Sequence, residues 1–328
     1  MFPLGSRGHQ IPCPGAVRPV GQLGHLLFES PVELGAAGVG GDLCGNLDLG
    51  SLVFAQAIRV LCGNRVLSGG GRVVDFHFPV TLSQLRPEVA VMPRAAIDGD
   101  RVHLTGVRNF DYRSRNDFTV NYEEREILLS HLAGLDFYVS YFTEGPVGHT
   151  FVSFIFDNAP PLSISIETRP EVGEGFAPVA SLFKQFELIY VMGDERDLVR
   201  VRTNYRGEPV YLYRLNTSAE DARRLLLVYL ARINELAEHP EFYNLLTNSC
   251  TINIVRYANA AGRAGPFDIR HLLNGLIDSY LYHSGRIDTT LPFDELRRRS
   301  LINGAAKAAD AASDFSDRIR ASLPTIHR

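Results

Sequence analysis

Cys250 and His149 are the two residues of this chain whose types and settings best fit nucleophilic chemistry. Cys250 stands apart from Cys13, Cys44 and Cys62, all of which lie in the first fifth of the sequence. The polar run Thr247-Asn248-Ser249 precedes it and a helical apolar pattern follows, which predicts a helix that starts at the cysteine. In the first helical turn, unpaired backbone N–H groups and the helix dipole favour the thiolate. The same N–H groups can hold an oxyanion. A small buried apolar cysteine would fit this spacing equally well.

His149 follows Gly145-Pro146-Val147-Gly148 and opens a predicted strand. Alternation sends His149, Phe151 and Ser153 to one face, and Thr150, Val152 and Phe154 to the other. A histidine at a strand start can serve as general base to a thiol it reaches, and an ordinary exposed imidazole gives the same pattern. Glu167 shares a strand face with Ser163, Ser165 and Arg169. There it could orient the imidazole as the third member of a triad, or form a structural pair with Arg169. The stretch Asp194–Arg206 interleaves acids with Arg196, Arg200, Arg202 and Arg206. It suits either a grip on a lipid phosphate or a solvated charged face.

Other chemistries find little support. The sequence has no HExxH, no paired CxxC spacing, no GxSxG elbow, no P-loop and no dinucleotide fingerprint, so neither a metal nor a cofactor is expected. The formal charge of −4 over 328 residues argues against a nucleic-acid partner. Lys184 and Lys307 are the only lysines, so arginine supplies nearly all the positive charge. The best apolar stretch, Leu52 to Cys62, is too short for a membrane helix and contains Gln56 and Arg59. The first twenty residues form no signal-peptide core.

The elements that must position Cys250 and His149 begin near residue 79. Before it, glycine runs such as Gly38–Gly41 and Gly69–Gly71 break any periodicity. Residues 1–78 therefore read as a poorly ordered segment with at most a short helix at Leu52–Leu61, and residues 79–328 as the folded domain. A hairpin is expected at Ala95–Leu104 around Asp98-Gly99. Strands are expected at Leu135–Phe142, His149–Phe156, Leu162–Thr168, Glu187–Met192 and Val210–Leu215. A helix capped by Thr217 or Ser218 should end at Pro240. Further helices are expected from Cys250 and over Leu272–Tyr282, with a surface helix over Ala305–Leu323. The class is α+β, with helices packed on a central antiparallel sheet.

Several ordered motifs carry a family resemblance. Asn109-Phe110-Asp111-Tyr112-Arg113, Gly148-His149-Thr150, Ile166-Glu167-Thr168-Arg169, Gln185-Phe186-Glu187-Leu188-Ile189-Tyr190, Asp194-Glu195-Arg196, Thr203-Asn204-Tyr205-Arg206-Gly207, Tyr211-Leu212-Tyr213 and Asn248-Ser249-Cys250-Thr251 resemble the Lnb N-terminal periplasmic domain family, over roughly residues 80–322. The resemblance implies a circularly permuted papain-like (NlpC-like) arrangement in a bacterial envelope protein. It further implies that Cys250 attacks a lipid or lipoprotein acyl ester with His149 as base, forming an acyl-thioester. Glu167 is the expected orienting residue. Asn248, Ser249, Arg169, Tyr205 and Arg206 form the expected substrate-binding set, and a membrane surface is an expected partner. Family members usually carry hydrophobic membrane segments ahead of this domain. Residues 1–78 hold none, which reads as a truncated or altered N-terminus. A papain-like amidase or peptidase acting on cell-wall peptides, and a non-catalytic envelope binding domain, are the alternative readings. An apolar groove would favour acyl transfer and a polar one amidase chemistry.

Overall fold

The computed structural model describes residues 85–142, 145–174, 186–262 and 265–324. Residues 1–78, with the short helix expected there and Cys13, Cys44 and Cys62, lie outside the described residues. The described strands are β1 (Arg94–Asp98), β2 (Arg101–Arg108), β3 (Asp111–Tyr112), β4 (Phe118–Thr119), β5 (Tyr122–Leu128), β6 (Leu132–Ser140), β7 (His149–Phe156), β8 (Leu162–Arg169), β9 (Glu187–Gly193) and β10 (Val210–Arg214). The helices are α1 (Glu195–Arg200), α2 (Ala219–Glu238), α3 (Cys250–Ala260), α4 (Ile277–His283), α5 (Phe293–Ser300), α6 (Asn303–Ala308) and α7 (Phe315–Arg318).

The class is α+β. Eight strands form one sheet in the order β1-β2-β9-β8-β7-β6-β10, with β5 also paired to β2. The sheet is mixed rather than wholly antiparallel, because β2 meets β9 in parallel at Arg108↔Gly193. The chain between them is long enough to permit that return. Register Asp98↔Arg101 closes the first hairpin over Gly99-Asp100, with Gly99 at φ +59°, a conformation glycine adopts without a Cβ penalty.

One face of the sheet is covered by α2 and α3. Ser218 caps α2 by accepting from the Asp221 N–H at 3.1 Å. Leu226, Leu230, Ile233 and Leu236 bury its apolar stripe together with Val152, Phe154, Ile164 and Ile166 of the sheet. The opposite face carries Tyr138, Phe151, Val210 and Leu212. Ile302, Ala306, Ala309, Phe315 and Ile319 pack on it, all fully buried. The Ala-rich tail is therefore not a surface helix. It breaks into α6 and α7: Ala306 and Ala309 let the backbone lie close on the sheet, and Phe315 and Ile319 pack beside them.

Two further expectations are corrected. The charged stretch after Asp194 is not a solvated face, and it does not offer its arginines freely to a phosphate. It forms α1 and a π-helical turn over Val201–Arg206, with Glu195, Asp197, Arg200 and Arg202 buried. Each is paired: Arg108 binds both oxygens of Asp197, Arg200 binds Asp111, Arg202 binds Glu167 and Arg320 binds Glu195. Residues 272–282 do not form one helix either. Short 3₁₀ turns at Ile269–His271 and Asn274–Leu276 precede α4, because the backbone and side-chain groups of Asn274 and Gly275 bond instead to the loop before β7.

Candidate active site

The pairing of β7 with β8 stops at Phe151↔Ser165, although β8 continues alongside β9 as far as Arg169↔Glu187. His149 thus opens β7 at a point where the two central strands part. Helix α3 starts there with Cys250 as its first residue, and Ser249 in the capping position. The Thr150 and Thr251 hydroxyls bond to each other at 2.8 Å and fasten the helix start to the strand start. With no β8 partner opposite, the Thr150 N–H is directed at the Cys250 sulfur, as is the Thr150 hydroxyl.

The Cys250 thiol is 2% exposed. Burial is the largest single influence on it and would raise its pKa. The His149 imidazole, through a hydrogen bond and its charge, and the two Thr150 donors outweigh burial and bring it from 9.0 down to about 6. The cysteine is therefore largely ionised at neutral pH. The Asn274 amide also donates to the sulfur at 3.7 Å, and the Thr251 hydroxyl lies 3.8 Å from it. The Tyr243 hydroxyl reaches the same atom; burial, followed by the Cys250 charge, keeps it a neutral phenol.

On the other side of the imidazole, His149 Nε2 is 2.7 Å from the Ser165 hydroxyl, which donates to Glu167 Oε1 at 2.7 Å. Because Ser165 spends its proton on the carboxylate, it must accept from an Nε2–H, which leaves Nδ1 for the sulfur. Arg202 anchors the same Glu167 oxygen at 2.7 Å. Burial alone would raise the Glu167 carboxyl. Arg202, His149 and Arg108 together with the Ser165 hydrogen bond hold it well below the usual carboxylate range, so it is fully ionised. Direct contact between His149 and Glu167 is long, at 3.9 Å, and Ser165 is the intermediary.

The residues expected to bind substrate divide into two groups. Asn248 lies at the helix start, but its amide is committed to Glu241 and the Phe242 carbonyl, and its carbonyl to Asn253. Ser249 is buried beside Cys250 without capping the helix through its side chain. Arg206 lies 3.9 Å from Glu208, whose other oxygen accepts from Ser140, the cross-strand neighbour of His149. Arg169 instead donates to the Val89 and Ala90 carbonyls and to Glu187. Tyr205 packs on Tyr112 and Arg200 with its hydroxyl toward Asp310. Neither Arg169 nor Tyr205 is brought into the Cys250 cluster. Ser165, Thr150, Tyr243 and Asn274 are; of these Ser165 carried a signal in the sequence through its shared face with Glu167, and Thr150 through the Gly148-His149-Thr150 motif.

Beside the cluster, α3 and the sheet enclose an apolar cavity of about 100 Å³, lined by Leu135, Phe137, Val152, Ile254, Val255 and Leu281. Thr251, the residue after the nucleophile candidate, forms part of its wall. Among the described residues, no cluster of His, Cys, Asp and Glu could hold a metal ion.

Residues 118–275 match the family described as the Lnb N-terminal periplasmic domain. Over this part of the chain, 158 of its 328 residues, the sequence is similar to that family. No curated protein and no solved structure matches the chain. The matched segment contains His149, Ser165, Glu167, Cys250 and Asn274, and it ends one residue beyond Asn274. It is shorter than the 80–322 span over which the motifs resemble the family. The tail from Ile302, though outside it, completes the packing of the same sheet. Among the described residues no helix is long and apolar enough to cross a membrane.

Proposed function

We propose that this Lnb-like domain is a cysteine acyltransferase of the periplasm or cell envelope. Its substrate would be a lipid or lipoprotein acyl ester, with Cys250 as nucleophile and His149 as base. The observation that carries the reading is a thiol brought to a pKa of about 6 at a helix start by an imidazole. That imidazole is itself held by Ser165 and an ionised Glu167. A cysteine kept only for packing has no use for such an arrangement.

In the first step the Cys250 thiolate attacks the ester carbonyl carbon, and the carbonyl π electrons move to oxygen. Collapse of the tetrahedral species re-forms the carbonyl and breaks the ester C–O bond. The departing alkoxide takes the proton from His149, leaving an acyl-thioester on Cys250. In the second step His149 accepts a proton from an amine or water as that nucleophile attacks the thioester, and the thiolate leaves. Ser165 and Glu167 keep the imidazole turned with Nδ1 toward sulfur and stabilise the imidazolium, as a buried aspartate does in a serine triad. The apolar lining of the cavity beside α3 supports acyl transfer over amidase chemistry, which would call for peptide-binding donors.

The test is intact-protein and peptide mass spectrometry after exposure to diacylated lipoprotein or to phospholipid. An acyl adduct confined to Cys250, absent from Cys250→Ser, is the expected result. No adduct with either donor, while a cell-wall peptide is cleaved, would transfer the site to amidase chemistry.

A further inference from the structure

Within this proposed acyl-transfer site, we infer that Asn274 is a catalytic residue: its side-chain amide, with the backbone N–H of Cys250, forms the oxyanion hole. The inference rests on the nucleophilic role of Cys250.

The orientation of Asn274 is chemically determined. Its Oδ1 accepts from the Gly148 N–H at 2.8 Å, so the NH₂ must be the end that faces the sulfur, 3.7 Å away. The flipped amide would set two donors against each other. The backbone around it is clamped as well. The Gly275 N–H donates to the Pro146 carbonyl at 2.9 Å, and the Tyr141 hydroxyl donates to the Gly275 carbonyl at 2.5 Å. A Cβ on Gly275 would stand 2.7 Å from the Pro146 carbonyl carbon, so no larger residue fits without moving the loop. Asn274 is buried, at 6% exposure, and its NH₂ has the sulfur as its hydrogen-bond acceptor.

Such a contact is weak in the resting protein and strong in the reaction. When carbonyl carbon bonds to sulfur, its oxygen lies one bond further out. A donor 3.7 Å from the sulfur is then within hydrogen-bond range of that oxygen, where negative charge has just developed. The Cys250 N–H, which donates to the Tyr243 hydroxyl in the resting protein, is the second donor: as the first N–H of its helix it has no partner within it, and the charged oxygen is the stronger acceptor. Gly148 joins this hole to the base: the residue before His149 holds the Asn274 carbonyl, so one short loop positions both proton acceptor and oxyanion donor.

Two reactions of the same sulfur separate this role from support of the thiolate. A p-nitrophenyl ester acylates Cys250 through an oxyanion. Iodoacetamide alkylates it by displacing iodide, with no charge developing on a carbonyl oxygen. Asn274→Ala in the full chain should slow acylation by roughly 10²–10³-fold. It should leave the alkylation rate of the ionised thiol, read at the plateau of its pH profile, within about threefold. Asn274→Asp keeps the acceptor for Gly148 and should show the same selective loss, which covers the case in which the alanine variant fails to fold. Tyr243→Phe, which removes a phenol hydroxyl that also reaches the sulfur, should change both reactions by similar factors. Equal loss of both reactions in the Asn274 variants would overturn the inference while leaving Cys250 as nucleophile. Selective loss in Tyr243→Phe instead would assign the hole to Tyr243. An absence of any Cys250 acyl adduct in the unsubstituted protein would sink the nucleophile reading and this one with it.

Discussion

Nε2 of His149 stands 2.7 Å from the Ser165 hydroxyl, and this contact decides which ring nitrogen faces Cys250. Ser165→Ala removes both the acceptor for Nε2–H and the donor to Glu167. The imidazole should then sample the other tautomer and orientation, and ester acylation of Cys250 should fall. The loss should stay below the roughly 10²–10⁴-fold that removing the base altogether would cause. Ser165→Thr, which restores a hydroxyl, should recover part of the rate. Acylation kinetics on the two variants check this; an unchanged rate in Ser165→Ala would leave Glu167 acting on His149 directly or not at all.

The Cys250 thiol gives a second prediction, with a definite sign. Its pKa of about 6 lies below the ordinary value, so the thiolate fraction, and with it iodoacetamide labelling, should rise with pH to a midpoint near 6. In His149→Ala burial keeps its full effect and the imidazole no longer opposes it, so the midpoint moves upward. At pH 7 the labelling rate should fall about tenfold if the midpoint passes roughly 8. Rate against pH from about 4.5 to 9.5 reads both curves. A midpoint near 8.5 in the unsubstituted protein, unmoved by His149→Ala, would mean the two side chains do not interact in solution.

Much of the frame around this site was legible in the sequence. The period-two runs with β-branched and aromatic residues gave β7 its full extent, and Ser218 with Pro240 bounded α2. The polar cluster before Cys250 marked the start of α3. What stayed hidden depends on partners distant in the chain. Ser165 shares its strand face with both Ser163 and Glu167, and only the placing of His149 against it singles it out from Ser163. Asn274 sits in a stretch with helical periodicity, and its role follows from bonds to Gly148, 126 residues earlier. The alternating charges after Asp194 read as solvated because their partners, Arg108 and Arg320, are remote in sequence. The tail read as a surface helix because alanine spacing does not reveal that Ala306 and Ala309 are the close-approach residues of a buried face.

Arg320 offers the sharpest test of that hidden part. It donates to both oxygens of Glu195, at 2.6 and 2.8 Å, and to Asp136 at 2.8 Å, and both acids are fully buried. Burial alone would raise the Glu195 carboxyl; Arg320 and the Tyr138 hydroxyl bring it below its ordinary value of 4.5. A carboxyl depressed on folding contributes stability above its unfolded pKa and loses it as pH falls below that value. Arg320→Met should leave Glu195 buried and without its cation, and should cost about 3–5 kcal/mol near neutral pH. The same change reverses the sign at Glu195. With burial unopposed, the carboxyl pKa rises above its unfolded value, so its penalty diminishes as protons are added. The gap in melting temperature between the variant and the unsubstituted protein should therefore narrow as pH is lowered from about 7 to about 5. Thermal melts at several pH values measure it. A gap that is small and independent of pH would mean that the tail is not docked on Glu195 and Asp136 as the structure has it.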